Sequence, residues 1–266
     1  MGMGTSPIPD ELIRVFPMSC ATFRFYAELN DFLPPARRQT AFPHAFQGRG
    51  SIKDMIESLG VPHTEVDLIL INGRSVDFQH PVRDGDTISV YPVFESLDIQ
   101  PILHLRPEPL RHPTFILDIH LGRLAAYLRL LGFDALYRND FSDESLARLA
   151  SQQRRIVLTR DRGLLKRTII TRGYCVRSDS PRRQIREVVD RFDLSRSAAP
   201  FRRCLACNGL LRPVEKQAVL DRLPPGTRER FDEFYQCSDC GRVFWPGSHY
   251  ARLQNILWEA LGKIHD

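Results

Sequence analysis

Residues 114–161 read TFILDIHLGRLAAYLRLLGFDALYRNDFSDESLARLASQQRRIVLTRD, and the alternation inside this stretch decides the fold. Residues 114–117 are a short apolar run that stops at Asp118. Leu121, Leu124, Ala125, Leu128 and Leu131 then recur at helical spacing, and Gly132 supplies a helix stop. Residues 135–137 form a second apolar run, and Ser142 can cap a helix that buries Leu146, Leu149 and Ala150. Residues 155–159 are a third run, ending at Thr159-Arg160-Asp161. Beyond it, residues 174–176 read as a fourth strand, and Ser180-Pro181 opens a helix carrying Gln184, Ile185, Val188 and Val189. Strand–helix units repeated in this way predict a parallel sheet with helices on both faces.

In such sheets ligands sit outside the carboxyl ends of the strands. Asp118 ends the first strand, Asp161 follows the third, and Asp143 opens the helix after the second. Each acid alone also reads as a helix cap or turn residue. Together at one edge they would repel one another unless a cation joined them, and hard oxygen ligands select Mg²⁺ or Mn²⁺. Ions so held can activate water and stabilise a leaving oxygen in phosphodiester hydrolysis. Arg160, Arg162, Lys166 and Arg167 stand beside them as phosphate-binding candidates. Asp140, Glu144 and Asp179 are second-line acids, and Asn139-Asp140 also reads as turn chemistry.

Four of the six cysteines fall in two pairs, Cys204/Cys207 and Cys237/Cys240, with 29 residues between the pairs. A two-residue gap lets both thiolates of a pair face one ion, and a following glycine permits the tight turn. Four Cys ligands close a tetrahedral site, so the expected metal is a structural zinc, with a redox pair as the competing reading. The segment is expected to form a ribbon with an inserted loop over 213–230. Phe244, Trp245, His249 and Tyr250 read either as base-stacking groups or as packing for a small core.

Upstream, residues 21–27 read as a strand, and a proline-containing stretch over 31–50 follows. A helix over 51–60 comes next, with Ser51 as cap and Gly60 as stop. Residues 66–71 then run into Asn72-Gly73, a strong hairpin signal, and residues 87–93 form a last strand. This order, ending in ILINGRSVDFQHPVRDGDTISVYP, resembles the ubiquitin-like β-grasp domains related to small sulfur carriers. Those carriers end in Gly-Gly, whereas this strand runs on into Phe94-Glu95-Ser96-Leu97. The resemblance therefore implies a docking module or scaffold, with a protein partner as its possible ligand, and not sulfur transfer. Expressed alone, this segment is expected to fold. Residues 95–112, with Pro101, Pro107 and Pro109, read as an extended linker.

The chain of 266 residues is 42% hydrophobic and 26% charged, a soluble globular balance that excludes collagen, wholly disordered chains and membrane channels. Its apolar runs fall far short of the ~18 residues of a membrane span. The visible start carries no basic region followed by an apolar core, and the expected location is cytoplasmic. Residues 1–112 are net −4, residues 113–200 net +7 and residues 201–266 net +2, so the basic surplus lies where a polyanion would dock.

The segment FILDIHLGRLAAYLRLLGFDALYRNDFSDESLARLASQQRRIVLTRDRGLLKR, with QIREVV, RCLACNGLL and FYQCSDCGRVFWPGSH after it, resembles the RNase domain family named after the C-terminal region of the Mut-seven exonuclease. That family is similar to PIN-type nucleases, which use acidic residues to bind divalent metal and cut RNA. Some of its members carry a ubiquitin-like domain ahead of the nuclease. The resemblance carries the metal role to Asp118, Asp143 and Asp161. The expected whole is α/β: a β-grasp domain over 20–95, a PIN-like parallel sheet with flanking helices over 113–198, and a zinc ribbon over 200–251. RNA is the expected partner, with no membrane involved. The rival is a non-catalytic RNA-binding or adaptor protein on the same fold.

Overall fold

The computed structural model describes residues 18–92 and 113–262; the linker reading over 95–112 and the last residue of the 87–93 strand lie outside them. The N-terminal part is a five-stranded sheet of β1 (Ser19–Phe25), β2 (Phe42–Phe46), β3 (Val66–Ile71), β4 (Arg74–Ser75) and β5 (Thr87–Pro92), in the order β2-β1-β5-β3-β4. The central strand β5 runs parallel to its neighbour β1. Helix α1 (Ile52–Ser58) packs on it with Ile52, Met55 and Ile56 buried, and the Ser51 hydroxyl accepts from the Asp54 N–H at 3.2 Å. Asn72 and Gly73 both take positive φ, +51° and +80°, as a tight hairpin with right-handed strand twist requires. Strand β2 was not expected, because 31–50 reads as a proline-containing stretch. Pro43 is tolerated there because β2 is an edge strand, where a missing N–H need not break a ladder.

The second sheet is formed by β6 (Phe115–Leu117), β7 (Ala135–Tyr137), β8 (Ile156–Thr159) and β9 (Gly173–Cys175), all parallel, in the order β7-β6-β8-β9. The helices are α2 (Gly122–Leu130), α3 (Asp143–Gln152), α4 (Arg162–Leu165) and α5 (Pro181–Arg191). Side chains alternate strictly across this sheet. Phe115, Leu117, Ile156, Leu158 and Tyr174 face Leu124 and Leu128 of α2 and Ile185 and Val188 of α5. Ile116, Val157 and Cys175 face the other way, onto Leu146 and Ala150 of α3 and Leu164 and Leu165 of α4. That second face belongs to the same buried cluster as Phe23, Phe25 and Ile69 of the N-terminal sheet and Ile56 of α1. The two sheets thus share one continuous core.

A third sheet holds β10 (Leu211–Val214), β11 (Phe234–Cys237) and β12 (Val243–Phe244). The expected loop over 213–230 contains two short helices, α6 (Lys216–Val219) and α7 (Pro225–Arg230), and Val219, Leu223 and Phe234 form a small core of their own. Helix α8 (Tyr250–Leu261), also unforeseen, returns to pack Ile256, Leu257 and Ala260 beside α5 in the core of the second sheet.

Polar groups fix the junction of the first two sheets. Strand β9 is an edge, so its outer N–H groups lack a strand partner. Glu65, fully buried, accepts from the Cys175 N–H at 2.5 Å. Its other oxygen lies 3.5 Å from the Arg177 guanidinium, which also donates to Asp31 at 3.0 Å and lies over the Phe32 and Tyr174 rings. Burial raises the Glu65 pKa, while Arg177 and the Cys175 N–H pull it down. His63 bridges Glu57, 2.6 Å from Nδ1, and the Ile170 carbonyl, 2.9 Å from Nε2. Removing one partner of a buried charge pair typically costs about 3–5 kcal/mol. Glu65→Ala should therefore lose stability on that scale in urea unfolding. Glu65→Gln, which keeps an acceptor for Cys175, should lose clearly less, and equal losses would show that the capping bond contributes nothing.

Candidate active site and metal centre

Leu117 pairs with Tyr137 on one side and Leu158 on the other, so the ends of β6, β7 and β8 lie level. Asp118 and Thr159 are next in their chains and adjoin. Asp118 is buried at 9% exposure. One carboxylate oxygen accepts from the Ile119 N–H at 2.6 Å, the other from the Thr159 hydroxyl at 2.8 Å. The Thr159 oxygen in turn accepts from the Asp161 N–H at 2.9 Å. An amide can only donate, so the hydroxyl proton must point to Asp118. Asp161 caps α4, its Oδ1 accepting from the Gly163 N–H at 2.7 Å. Asp143 is the exposed first residue of α3, whose cap is Ser142.

The structure therefore joins Asp118 to Asp161 through Thr159 and places Asp143 beyond β7 at the same edge. The three carboxylates do not converge as a set on one ion position; among the described residues only the cysteines form such a set, their ligand atoms all within 4.8 Å of one another. The second-line acids are each paired with arginine: Asp140 with Arg138, Glu144 with Arg148 and Asp179 with Arg183, at 2.7, 2.7 and 2.8 Å. A hydrogen bond from Arg138 lowers the Asp140 pKa. The basic residues divide. Arg160 and Arg167 are exposed, with guanidinium groups unpaired among the described residues. Arg162 lies over Phe32, 4.9 Å from its centroid, and Lys166 donates to the Glu57 carbonyl at 2.7 Å. Both of the latter tie α4 to the N-terminal part, through α1 and the turn after β1.

Sequence reasoning missed Thr159, although a hydroxyl two residues before an acid at a strand end was the available signal. It also missed Tyr137, whose hydroxyl donates to the Ile119 carbonyl at 2.9 Å and fixes the loop after Asp118. Gly122 leaves room for that ring, since a Cβ there would lie 2.8 Å from it.

The four cysteines lie at the opposite end of the sheet. Their sulfurs are all within 4.8 Å of one another, with Cys204–Cys240 at 3.7 Å and Cys207–Cys237 at 3.4 Å. A tetrahedral ion with Zn–S bonds of ~2.3 Å needs sulfur–sulfur edges of about 3.8 Å, so this donor set can hold a metal ion such as zinc. Burial pushes the Cys207 thiol up to about 12, whereas the Arg242 N–H holds Cys240 down at about 7. In the first knuckle the left-handed residue is Asn208, φ +76°, not the following glycine. Gly209 is needed for closeness instead, because a Cβ there would lie 2.8 Å from the Cys237 sulfur. The knuckle is clamped to the starts of β6, β7 and β8. Arg129 donates to the Ala135, Leu205 and Ala206 carbonyls, and the Asn208 side chain joins the Ala135 N–H to Asp134. Asp134 receives Arg155, which also reaches the Phe115 carbonyl. Burial opposes the Asp134 charge, but hydrogen bonds from Arg155 and Asn208 hold its pKa below the ordinary carboxylate value.

Two family models match the chain: the Mut7-C RNAse domain over residues 113–257 and the Mut7-C ubiquitin domain over residues 18–98. No curated protein and no solved structure matches it.

Structural zinc in small domains contributes on the order of 10 kcal/mol, so its loss is a gross effect. Titrating the chelator-stripped chain with zinc should reveal one tight equivalent. Cys204→Ser or Cys237→Ser should abolish that equivalent and open residues 201–250 to protease. Wild-type protein that takes up no zinc would refute the assignment.

Proposed function

Because the chain belongs to the Mut7-C RNAse domain family, its model covering more than half of the sequence, we propose that it is a ribonuclease. On this reading it hydrolyses RNA phosphodiester bonds with Mg²⁺ or Mn²⁺ held by Asp118, Asp143 and Asp161. The observation that carries the reading is Asp118. It is a buried carboxylate whose only partners are an N–H and a hydroxyl, with no cation paired to it among the described residues. A buried charge left so demands a counter-charge, and an all-oxygen donor set suits a hard divalent ion. Such an ion supplies charge stabilisation at the phosphate and a water of lowered pKa. The chain's own groups do the rest. Thr159 sets the spacing of Asp118 and Asp161, while Arg160 and Arg167 present free guanidinium groups to the backbone phosphates. The N-terminal domain, through the Glu57 carbonyl and the Phe32 ring, steadies the helix that Asp161 caps. That domain is also the surface for a protein partner, the cysteine set serves as a structural zinc centre, and the working compartment is the cytoplasm.

A second reading rests on the spread of the carboxylates: an RNA-binding adaptor would not need them to converge. One experiment separates the two. Labelled RNA is incubated with wild type, Asp118→Asn and Asp161→Asn, with and without added Mg²⁺ or Mn²⁺. Cleavage should require the ion and fall at least 100-fold in either variant, while binding persists or tightens as the site loses negative charge. Thr159→Val should lose cleavage that Thr159→Ser retains. Equal cleavage by all the proteins would place the chemistry elsewhere. Saturable binding without cleavage under any divalent ion would favour the adaptor.

A further inference from the structure

The zinc unit, the start of α8 and the end of α2 enclose a cleft of about 640 Å³. Five aromatic residues line it: Phe201, Tyr235, Phe244, Trp245 and Tyr250. Tyr235 and Phe244 are cross-strand partners of β11 and β12, so their rings share one face of the ribbon. Phe201 stacks on Tyr250 at 4.8 Å. It does so from a left-handed backbone, φ +61°, held by a hydrogen bond from its N–H to the Leu130 carbonyl. A bulky residue pays strain for that conformation, and strain of this kind collects at ligand sites. Trp245 packs towards Phe234 of the ribbon core, yet it is only half-buried. A Cβ at Gly247 would lie 2.8 Å from its indole nitrogen, so the glycine leaves that edge uncovered.

The rim is polar and basic. Arg202 lines it with a guanidinium unpaired among the described residues, and the indole N–H of Trp245, the His249 ring and the Tyr235 and Tyr250 hydroxyls likewise have no hydrogen-bond partner there. Arg203 also lines the cleft, although its donors reach the Gly132 and Asn208 carbonyls. Glu233 is the only acid in the lining. A lipid or an apolar peptide face would strand these donors. A planar base offers a π-face to the rings and acceptors to the donors, and its phosphate suits Arg202. Resting on the ribonuclease reading, we propose that this cleft is a base-stacking subsite for single-stranded RNA, remote from the cutting edge. The two lie at opposite ends of the sheet. Helix α2 alone, nine residues from Gly122 near Asp118 to Leu130 at the cleft, spans about 13 Å. A strand several nucleotides long is needed to occupy both.

The test uses the full, zinc-loaded chain, without Mg²⁺ or Mn²⁺, and a labelled single-stranded 12-nucleotide oligouridylate. Binding should quench tryptophan fluorescence in wild type, and Trp245→Leu should remove most of that quench. Trp245→Leu and Tyr235→Ala should each weaken binding by between about 5- and 150-fold, the range of one lost base stack, with the salt dependence unchanged. Arg202→Gln should weaken binding and reduce the salt slope by about one ion. Unchanged zinc content excludes a folding failure for Trp245→Leu, and Tyr235, 38% exposed, is the substitution the fold tolerates best. Unaltered affinity in both aromatic variants, or equal binding and quenching by a 12-base-pair duplex, would overturn the proposal. Cleavage is read separately with Mg²⁺. RNA that quenches Trp245 but is never cut keeps the cleft and removes the nuclease, while RNA cut without dependence on Trp245 or Tyr235 removes the cleft alone.

Discussion

A carboxylate standing in for a missing strand organises the junction on which the rest of the molecule depends. Strand β9 ends the nuclease-like sheet, and an open edge there would expose backbone donors beside an apolar face. Glu65 supplies the acceptor and brings a charge that must itself be satisfied, and Arg177 answers it while reaching Asp31 and the Phe32 ring. These are contacts of high sequence separation, and none is made within either sheet alone. They also close the apolar cluster that runs from Phe23 to Val157. The N-terminal domain is therefore part of the wall of the catalytic candidate, not a bead on a string. Through Lys166 and Arg162 it reaches α4, the helix capped by Asp161.

The elements that were legible in the sequence are those specified locally. Residues 66–71 and 135–137 coincide with β3 and β7, and Ser51 and Ser142 cap the helices expected of them. The losses have physical causes. Strand β2 carries a proline that only an edge position excuses. Helix α4 has four residues, too few to show a period, and it is held by its cap and by Leu164 and Leu165. Helix α8 begins without a capping side chain, and its burial against α5 is decided by tertiary packing. At the site, topology brings the strand-end acids to one edge, as alternation of strand and helix implies. Of the link through Thr159, the half to Asp161 is a local turn that the sequence signals, whereas the half to Asp118 was not legible, because it depends on the register between β6 and β8.

The sheet is used at both ends, in chemically opposite ways. At its carboxyl edge, Asp118, Asp143 and Asp161 have no basic partner among the described residues, and Asp118 is held only by donors that orient it. At its amino edge, the acid Asp134 is fully answered, by Arg155, Asn208 and, at 3.5 Å, Arg203. The same residue type is thus structural where arginines surround it and available where they are withheld. Burial is comparable in kind; the difference is the company each carboxylate keeps.

The same distinction decides what the basic surplus means. Residues 113–200 carry 17 Lys and Arg against 10 Asp and Glu, which taken alone suggests a broad polyanion surface. Several of those arginines are committed elsewhere. Arg129 clamps the cysteine knuckle, Arg155 holds Asp134, and Arg177 serves the junction. Arg138, Arg148, Arg182 and Arg183 pair with neighbouring acids. What remains for a phosphate backbone near Asp118 is narrower: Arg160 and Arg167, on the loops flanking α4, and the exposed Arg123 in the first turn of α2. A contact made by so few charges orients a strand more than it captures one, since each phosphate neutralised adds only one increment to the salt-dependent affinity. Tight binding then requires a second point of attachment that does not depend on charge, and the aromatic cleft at the far end of the sheet has the chemistry to provide it.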